Sequence, residues 1–333
     1  MDRKIVAVMI AVAVLVFIRR AETQPAKIYR IGYFDGGSFS AAAPRLEAFR
    51  QRLRELGWVE GKQIAFEYRF GEGKGGERFK ELAAELVQIK VDVIVPRGTT
   101  GALAAKQATS TIPIVMTSGG DPVGAGIVNS LAHPGGNITG ISSLAPELNT
   151  KRLEVIKDVV RKLTLVGILL DGDGSSVGMK RQIKEIEPAA QALKVKLAYI
   201  EYIEAKRDPK GLENAFETAR RKRVDAIIPI GGSNFLAAGK RIVELAAKHR
   251  LPTIYESREF VDDGGLMSYG IDFLDQYRRA AYFVDRILRG TKTTDLPVEQ
   301  PMKFEFIINL KVAKQIGLTI PPEVLARANK VVR

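Results

Sequence analysis

Cysteine is absent from the 333 residues, and histidine occurs only twice, at His133 and His249. The absence of cysteine excludes disulfides, thiol chemistry and a lipid anchor on a cysteine. The two histidines lie far apart, so neither has the spacing of a pair of metal ligands. The sequence therefore predicts no metal site and no cofactor, and we expect a protein that is not an enzyme.

The sequence also has no apolar run long enough to span a membrane. The longest, Ile5–Ile18, has 14 residues, which is short for a transmembrane helix and typical of the hydrophobic core of a signal peptide. Basic residues precede it and polar residues follow it. We therefore expect residues 1–26 to be a signal peptide that sends the protein to the periplasm. Because Arg19-Arg20 is unusual before a cleavage site, an uncleaved N-terminal anchor stays open.

Clustered basic residues are scarce, although the net charge is +13. The cations are spread along amphipathic segments and mixed with glutamate. The one tight cluster, Arg220–Arg223, is predicted to end a helix, where cations favour the helix dipole. No aromatic residues that would stack on bases are interleaved with it. We therefore expect no nucleic-acid partner.

What the sequence does contain is a repeat. Val91–Gly98 (VDVIVPRG) is matched by Val224–Gly231 (VDAIIPIG), 133 residues later. A helix pattern and a second apolar strand follow each copy, which predicts one β-α-β unit of a parallel sheet. Two such units in matching places indicate two similar lobes. Because ligands bind beyond the carboxyl ends of parallel strands, the repeat also predicts a ligand site in a cleft between the lobes.

The order of predicted elements gives the fold class, which is α/β with two doubly wound parallel-sheet lobes. Alternating strands and helices fill residues 27–142 and again residues 143–269. We assign about 270–298 to the first lobe and about 300–330 to the second. The chain then crosses between lobes near residues 143, 270 and 300, and such a three-crossover hinge suits closure around a ligand. A helix is predicted from Pro44 to Leu56.

Several long segments carry a family resemblance. They are Ala48–Gly61 (AFRQRLRELGWVEG), Gly120–Gly124 (GDPVG), Ala132–Gly140 (AHPGGNITG), Ala246–Pro252 (AAKHRLP), Arg258–Val261 (REFV), Gly264–Gly270 (GGLMSYG) and Leu296–Pro301 (LPVEQP). Together they resemble the periplasmic substrate-binding proteins of ABC transporters, in the branch of the tryptophan/tyrosine type. The resemblance covers about residues 28–330 in the family's order.

The resemblance implies a type I periplasmic binding fold and an exported protein that captures a small, amino-acid-like ligand. It further implies an ABC permease as the partner, so that the membrane is met only through the permease or an uncleaved N-terminus. A membrane-anchored sensory domain is the alternative. The chain departs from the family's pattern at Asp171–Ser175, where similar proteins have an Asn-Pro loop, so the role of that loop does not carry over.

Polar residues follow the predicted strands where a ligand would bind. Gly98-Thr99-Thr100 begins a helix whose free N–H groups suit a carboxylate, while Asp121 or Glu256 would hold an ammonium group. Thr99 fits an ordinary helix N-cap equally well. Three tyrosines, Tyr33 among them, would wall the ligand's side chain, although packing explains each one too. The candidate ligand-binding residues are Ser38, Ser40, Gly98, Thr99, Thr100, Thr117, Asp121, Ser233, Asn234, Tyr255, Glu256, Arg258 and Tyr269.

A weaker hypothesis is a nucleotide-binding enzyme. Gly172–Gly178 (GDGSSVG) imitates the strand, glycine loop and helix of a dinucleotide-binding motif. However, Asp171 and Asp173 would repel phosphates. We therefore favour a mobile loop beside the cleft.

Overall fold

The computed structural model describes residues 27–73, 75–171, 177–202, 210–231, 235–236 and 238–333. The predicted signal peptide and Gly172–Ser176 of the glycine-rich loop lie outside these residues. The strands are β1 (Tyr29–Asp35), β2 (Ile64–Phe70), β3 (Val93–Pro96), β4 (Ile114–Gly119), β5 (Ile138–Ser142), β6 (Leu165–Asp171), β7 (Lys196–Tyr202), β8 (Ala226–Ile230), β9 (Ile254–Tyr255), β10 (Met267–Ile271), β11 (Phe304–Asn309) and β12 (Lys330–Val332). The α-helices are α1 (Phe39–Glu55), α2 (Gly75–Gln88), α3 (Gly98–Ala108), α4 (Ala145–Val159), α5 (Val177–Ala192), α6 (Gly211–Arg221), α7 (Gly239–Lys248), α8 (Arg258–Asp262), α9 (Phe273–Leu288), α10 (Leu310–Gln315) and α11 (Pro322–Leu325).

The first lobe is built on one parallel sheet in the order β2-β1-β3-β4-β5. Its central strands are buried from end to end, as in β3, because helices cover both faces of the sheet. Helices α1 and α9 pack over one face, and α2 and α3 over the other. The predicted β-α-β unit of the first repeat copy is thus β3-α3-β4.

The second lobe combines a parallel sheet, β7-β6-β8, with a mixed sheet, β12-β11-β10-β9. A bridge between Ile227 and Thr253 connects the two sheets. Helices α4, α5, α10 and α11 supply the core on one side, and α6, α7 and α8 the core on the other. The α/β class and the two lobes are confirmed. The parallel winding is not complete, because β11 reaches the sheet from the first lobe and pairs with β10 in the antiparallel direction.

Helix α9 returns the chain to the first lobe. Its apolar side chains recur every three or four residues, which places them on one face of the helix. They are Ala280, Phe283, Val284, Ile287 and Leu288, all buried. Burial of each large apolar side chain stabilises the folded lobe by about 1.5–3 kcal/mol, and the indole Nε1 of Trp58 adds a hydrogen bond to Asp285 at 2.8 Å.

Three crossings join the lobes. The first follows β5, where Leu144 adopts a left-handed backbone conformation with a φ of 50°. The second is at Asp272, between β10 and α9. The third follows Glu299, which bridges Ile141 of the first lobe before the chain enters β11. The exact lobe bounds drawn from the sequence stay a prediction.

The first helix is longer than predicted. It begins at Phe39 and not at Pro44, because the Ser38 hydroxyl accepts a hydrogen bond from the Ala41 N–H and caps the helix N-terminus. Pro44 therefore lies inside the helix, where we had placed it at the start. Along the part of the chain that the structure describes, no helix combines the length and apolarity needed to span a bilayer.

Candidate ligand-binding site

Buried polar side chains collect where β1, β3 and β4 end. These strands are neighbours in the first sheet, so their carboxyl ends lie at one edge. Asp35 ends β1, Arg97 follows β3, and Thr117 and Ser118 lie on β4; all are buried. Burying polar groups is costly unless they find partners. A cluster of buried polar groups at one edge of the sheet therefore marks that edge as the candidate site.

Asp35 is held by hydrogen bonds that extend through Tyr33 to helix α9. One carboxylate oxygen accepts a hydrogen bond from the Gly37 N–H at 2.8 Å, and the other accepts from the Tyr33 hydroxyl at 3.0 Å. The Tyr33 hydroxyl also meets that of Tyr277 on α9, at 3.0 Å. Burial raises the pKa of Tyr33 well above its ordinary value. The phenol therefore stays protonated and donates to the carboxylate.

Arg97 lies beside Asp35. Its backbone N–H donates to the Phe34 carbonyl at 3.1 Å, which ties the end of β3 to β1. The nearest charge is the Asp35 carboxylate, 3.6 Å from Nη1. Burial acts to lower the pKa of Arg97, but the attraction of Asp35 and, more weakly, of Glu256 raises it overall. The guanidinium is therefore a fixed positive charge between the two lobes.

The second lobe contributes Arg152 from α4. Its Nε donates to the Tyr269 carbonyl at 2.7 Å, and its Nη1 donates to the Asn149 side chain. Burial lowers the pKa of Arg152 to about 10, against the attraction of Glu256, so the group stays charged at neutral pH. Glu256, directly after β9, is thus attracted to an arginine of each lobe.

Ion pairs away from the crossings join the lobes directly. Arg45 on α1 donates to Glu259 on α8 at 2.7 Å, and the Arg45 side chain is 2% exposed. Arg181 on α5 pairs with Asp121, which follows β4. Both pairs require the lobes to be close together, so the structure is a form in which the lobes are in contact.

The hinge lies against the same region. The side-chain amide of Gln276 on α9 donates to the Ser142 carbonyl at the end of β5, at 2.8 Å. Gly270, at the end of β10, has no room for a side chain, since a Cβ there would lie 1.8 Å from the Glu256 carbonyl oxygen. The backbone of Glu256 and the second crossing are therefore packed together.

A family model described as ABC transporter substrate binding protein matches residues 41–332. The chain belongs to this family. The resemblance drawn from the sequence is thereby confirmed, and the members of this family are solute-binding proteins, which supports a role other than catalysis.

Similar proteins are known from several bacteria. A tyrosine-binding protein of Clostridioides difficile (strain R20291) is 27% identical over 278 residues, covering 82% of this chain and 76% of that protein. The crystal structure of a conserved domain protein from Vibrio cholerae has a TM-score of 0.83 at 26% identity, covering 92% of this chain and 100% of that one. An ABC domain from Streptococcus pneumoniae in complex with L-Trp has a TM-score of 0.81 at 24% identity, with the same coverage. The fold of this substrate-binding protein is thus the type I periplasmic binding fold.

Thr99 is not the helix N-cap of the substrate-binding protein. Arg97 occupies the cap position of α3 and makes no side-chain capping bond. The Thr99 hydroxyl instead accepts a hydrogen bond from the Gly120 N–H at 2.9 Å. Gly98 has a φ of +70°, in the region that favours glycine, and Thr100 is exposed. The N-cap interpretation was therefore wrong, because it ignored the loop after β4.

The other candidates of the first lobe are placed as follows. Ser38 caps α1, and its hydroxyl meets that of Ser40 at 3.0 Å. The Thr117 hydroxyl donates to the Pro96 carbonyl at 3.3 Å. Asp121 accepts from the Gly124 N–H and from Arg181. These hydroxyls and carboxylates have internal partners, and their contact with a ligand stays a prediction.

In the second lobe the tyrosines are packed. Tyr255 is 1% exposed and stacks on Phe260, with ring centroids 4.7 Å apart, so its ring lies in the core in this form. The Tyr269 ring contacts Phe306 edge to face and lines a surface groove of about 520 Å³. Arg258 pairs with Asp262 on its own helix. Tyr33, on the first lobe, is likewise in the core, and Ser233 and Asn234 lie outside the described residues.

Sequence reasoning missed Asp35, Arg97, Arg152 and Gln276. A signal existed for Arg97, since the second repeat copy has Ile230 at the same position. A charge that ends a buried strand in one copy alone is a candidate for function.

Within the described ranges, no three His, Asp or Glu side chains converge to hold a metal ion.

Proposed function

We propose that this substrate-binding protein is exported, captures a small amino-acid-like ligand between its lobes and delivers it to an ABC permease. The observation that carries the proposal is the meeting of charges from both lobes beside the hinge; three of them are buried and Glu256 is half-buried. Asp35 and Arg97 come from the first lobe, and Arg152 and Glu256 from the second. A ligand that touches both sets stabilises the closed form, so binding shifts the population toward closure.

The charges favour a zwitterion. Both signs are present at the junction, so a ligand with a carboxylate and an ammonium group would find a partner for each. A neutral sugar would offer hydroxyl groups only, with no opposite charge for Arg97 or for the carboxylates. A tyrosine-binding relative and a neighbour in complex with L-Trp support an aromatic amino acid as the ligand.

Calorimetric titration tests the ligand class. Protein purified without refolding should bind L-tyrosine or L-tryptophan saturably, and D-glucose should give no heat of binding. Binding should also raise the melting temperature with ligand concentration, as linkage requires. Binding of the sugar without any amino acid would contradict the proposal.

Small-angle scattering tests closure separately. The ligand should reduce the radius of gyration, because ligand-free lobes are free to separate at the hinge. Tight binding without compaction would contradict the closure step and leave the binding function standing. A permease gene and an ATPase gene beside the gene of this protein would support transport over sensing.

A further inference from the structure

The guanidinium of Arg97 is buried but donates no hydrogen bond within the described residues. Its side chain is 8% exposed, and Nε has no partner. The 3.6 Å separation from Asp35 is beyond hydrogen-bond distance. A buried charged donor in this state is costly, since it has lost water and gained no acceptor.

Other buried arginines near the junction donate hydrogen bonds from their guanidinium groups, although Nε of Arg45 has no partner either. Arg45 donates to Glu259 at 2.7 Å and to the Ala41 carbonyl at 2.8 Å. Arg152 donates to Tyr269 and Asn149. Among these three, Arg97 alone donates no hydrogen bond from its guanidinium to a described residue, which leaves its donors available to a bound molecule.

The position of Arg97 suits an anion. It is the N-cap residue of α3, an 11-residue helix, so the free N–H groups of the first helical turn begin beside it. The Thr99 hydroxyl in that turn accepts from the Gly120 N–H, so it could offer an anion only a single neutral O–H donor. Arg97 therefore adds the charged donors that the helix N-terminus alone lacks.

The carboxylates around Arg97 restrict the kind of anion. Asp35 lies on one side, and Glu256 of the other lobe attracts the same guanidinium. A phosphate or a dicarboxylate would be repelled by both carboxylates. An α-amino acid would not, because its ammonium group can face Asp35 or Glu256 while its carboxylate faces Arg97.

We propose that Arg97 receives the carboxylate of the ligand and so selects zwitterionic amino acids over the corresponding amines. This assignment rests on the proposed function. It makes Arg97 a specificity-determining residue, and it transfers the main carboxylate contact from the predicted Thr99 hydroxyl to the guanidinium two residues earlier, at the end of the same strand.

The test compares a ligand with and without its carboxylate. Wild-type protein and Arg97→Gln are titrated by calorimetry with L-tyrosine and with tyramine, which lacks only the carboxylate. Wild-type protein should prefer tyrosine by about 10- to 100-fold, the range expected for a hydrogen-bonded charge pair. In Arg97→Gln this preference should shrink at least about tenfold.

Arg45→Gln is the matched control. Arg45 is a buried arginine of the same lobe that pairs across the junction, so its loss should weaken both ligands by a similar factor and keep their ratio. If Arg97→Gln does not fold, Arg97→Lys keeps the charge but not the planar pair of donors, and it should reduce the preference for tyrosine in part.

The outcomes separate the two proposals. An unchanged ratio in a folded Arg97 variant overturns the assignment of Arg97 and leaves amino-acid binding intact. Wild-type protein that binds no amino acid at all overturns the proposed function, and the assignment with it. A ratio that shrinks in Arg97→Gln and persists in Arg45→Gln supports both.

Discussion

Replacing Glu259 with glutamine should weaken closure of the lobes. Glu259 on α8 accepts a hydrogen bond from Arg45 on α1, and the side chains are 31% and 2% exposed. Breaking a fully buried pair costs about 3–5 kcal/mol, and breaking an exposed pair costs less than about 1 kcal/mol. Because one partner is buried, one is partly exposed and glutamine keeps an acceptor, we expect a loss of about 2 kcal/mol.

That loss applies to the closed form, since the pair cannot exist when the lobes separate. About 2 kcal/mol corresponds to about a 30-fold change in the closing equilibrium and up to the same factor in ligand affinity. Calorimetric titration and small-angle scattering should be measured on the same samples. The expected result is weaker binding and a larger radius of gyration at low ligand concentration.

Glu213→Gln is the control for the loss of an ion pair as such. Glu213 pairs with Arg241 inside the second lobe and is 29% exposed, close to the value for Glu259. Its replacement should lower the melting temperature of the ligand-free protein without changing affinity. If Glu259→Gln binds and compacts like the wild type, the Arg45–Glu259 pair has no part in closure.

The same pair gives closure a pH dependence. Burial acts to raise the pKa of Glu259, but the attraction of Arg45, together with weaker contributions from Ser257, the backbone and Arg97, lowers the pKa below the ordinary value. The stabilisation is therefore present above the pKa of a free glutamate, about 4.3, and is lost as the pH falls through the lower value of the closed form. Affinity measured from neutral to acidic pH should show this loss in the wild type and not in Glu259→Gln.

Further predictions concern the hinge, the site and the N-terminus. Gly270→Ala should lower the melting temperature, because its Cβ would overlap the Glu256 carbonyl; an unchanged melting curve would contradict the tight crossing. Thr99→Ala should cost about 1 kcal/mol of stability through the lost bond to Gly120, and calorimetry should show a smaller loss of affinity than for Arg97→Gln. Asp121→Asn should weaken binding by up to about fivefold, since the side chain of its partner Arg181 is 43% exposed. Mature periplasmic protein should begin near residues 25–27 by mass spectrometry, whereas intact Met1 in the membrane fraction would support the anchored sensor.

The repeat was sufficient to predict the two lobes. Val91–Gly98 and Val224–Gly231 each carry a buried strand and a turn, and apolar runs of this kind report directly on a parallel sheet covered by helices. The antiparallel pairing of β11 was not predictable in the same way. It depends on the direction in which the chain returns from the first lobe, and no local pattern encodes that direction.

The side-chain contacts of the site were less predictable. Thr99 lies where the sequence predicts a helix to begin, so local chemistry favours a cap, yet its partner Gly120 lies on the neighbouring strand connection, 21 residues away. Arg152 and Gln276 lie on amphipathic helices where a polar residue normally faces water. Their burial follows from the way α4 and α9 pack against the crossings, which is information that helix periodicity does not contain.

The two repeat copies differ at the residue before their last glycine, and this difference gives the two similar lobes different charged side chains at their junction. The first copy ends its strand with Arg97, whereas the second has Ile230, which is buried in the core. The second lobe therefore supplies its charges from other elements, Arg152 on α4 and Glu256 after β9. Since Asp35 and Arg97 lie together on one lobe, that lobe can hold both charged groups of a zwitterion before closure. We expect the open form to bind first through the first lobe, and the second lobe to add its contacts as the hinge closes.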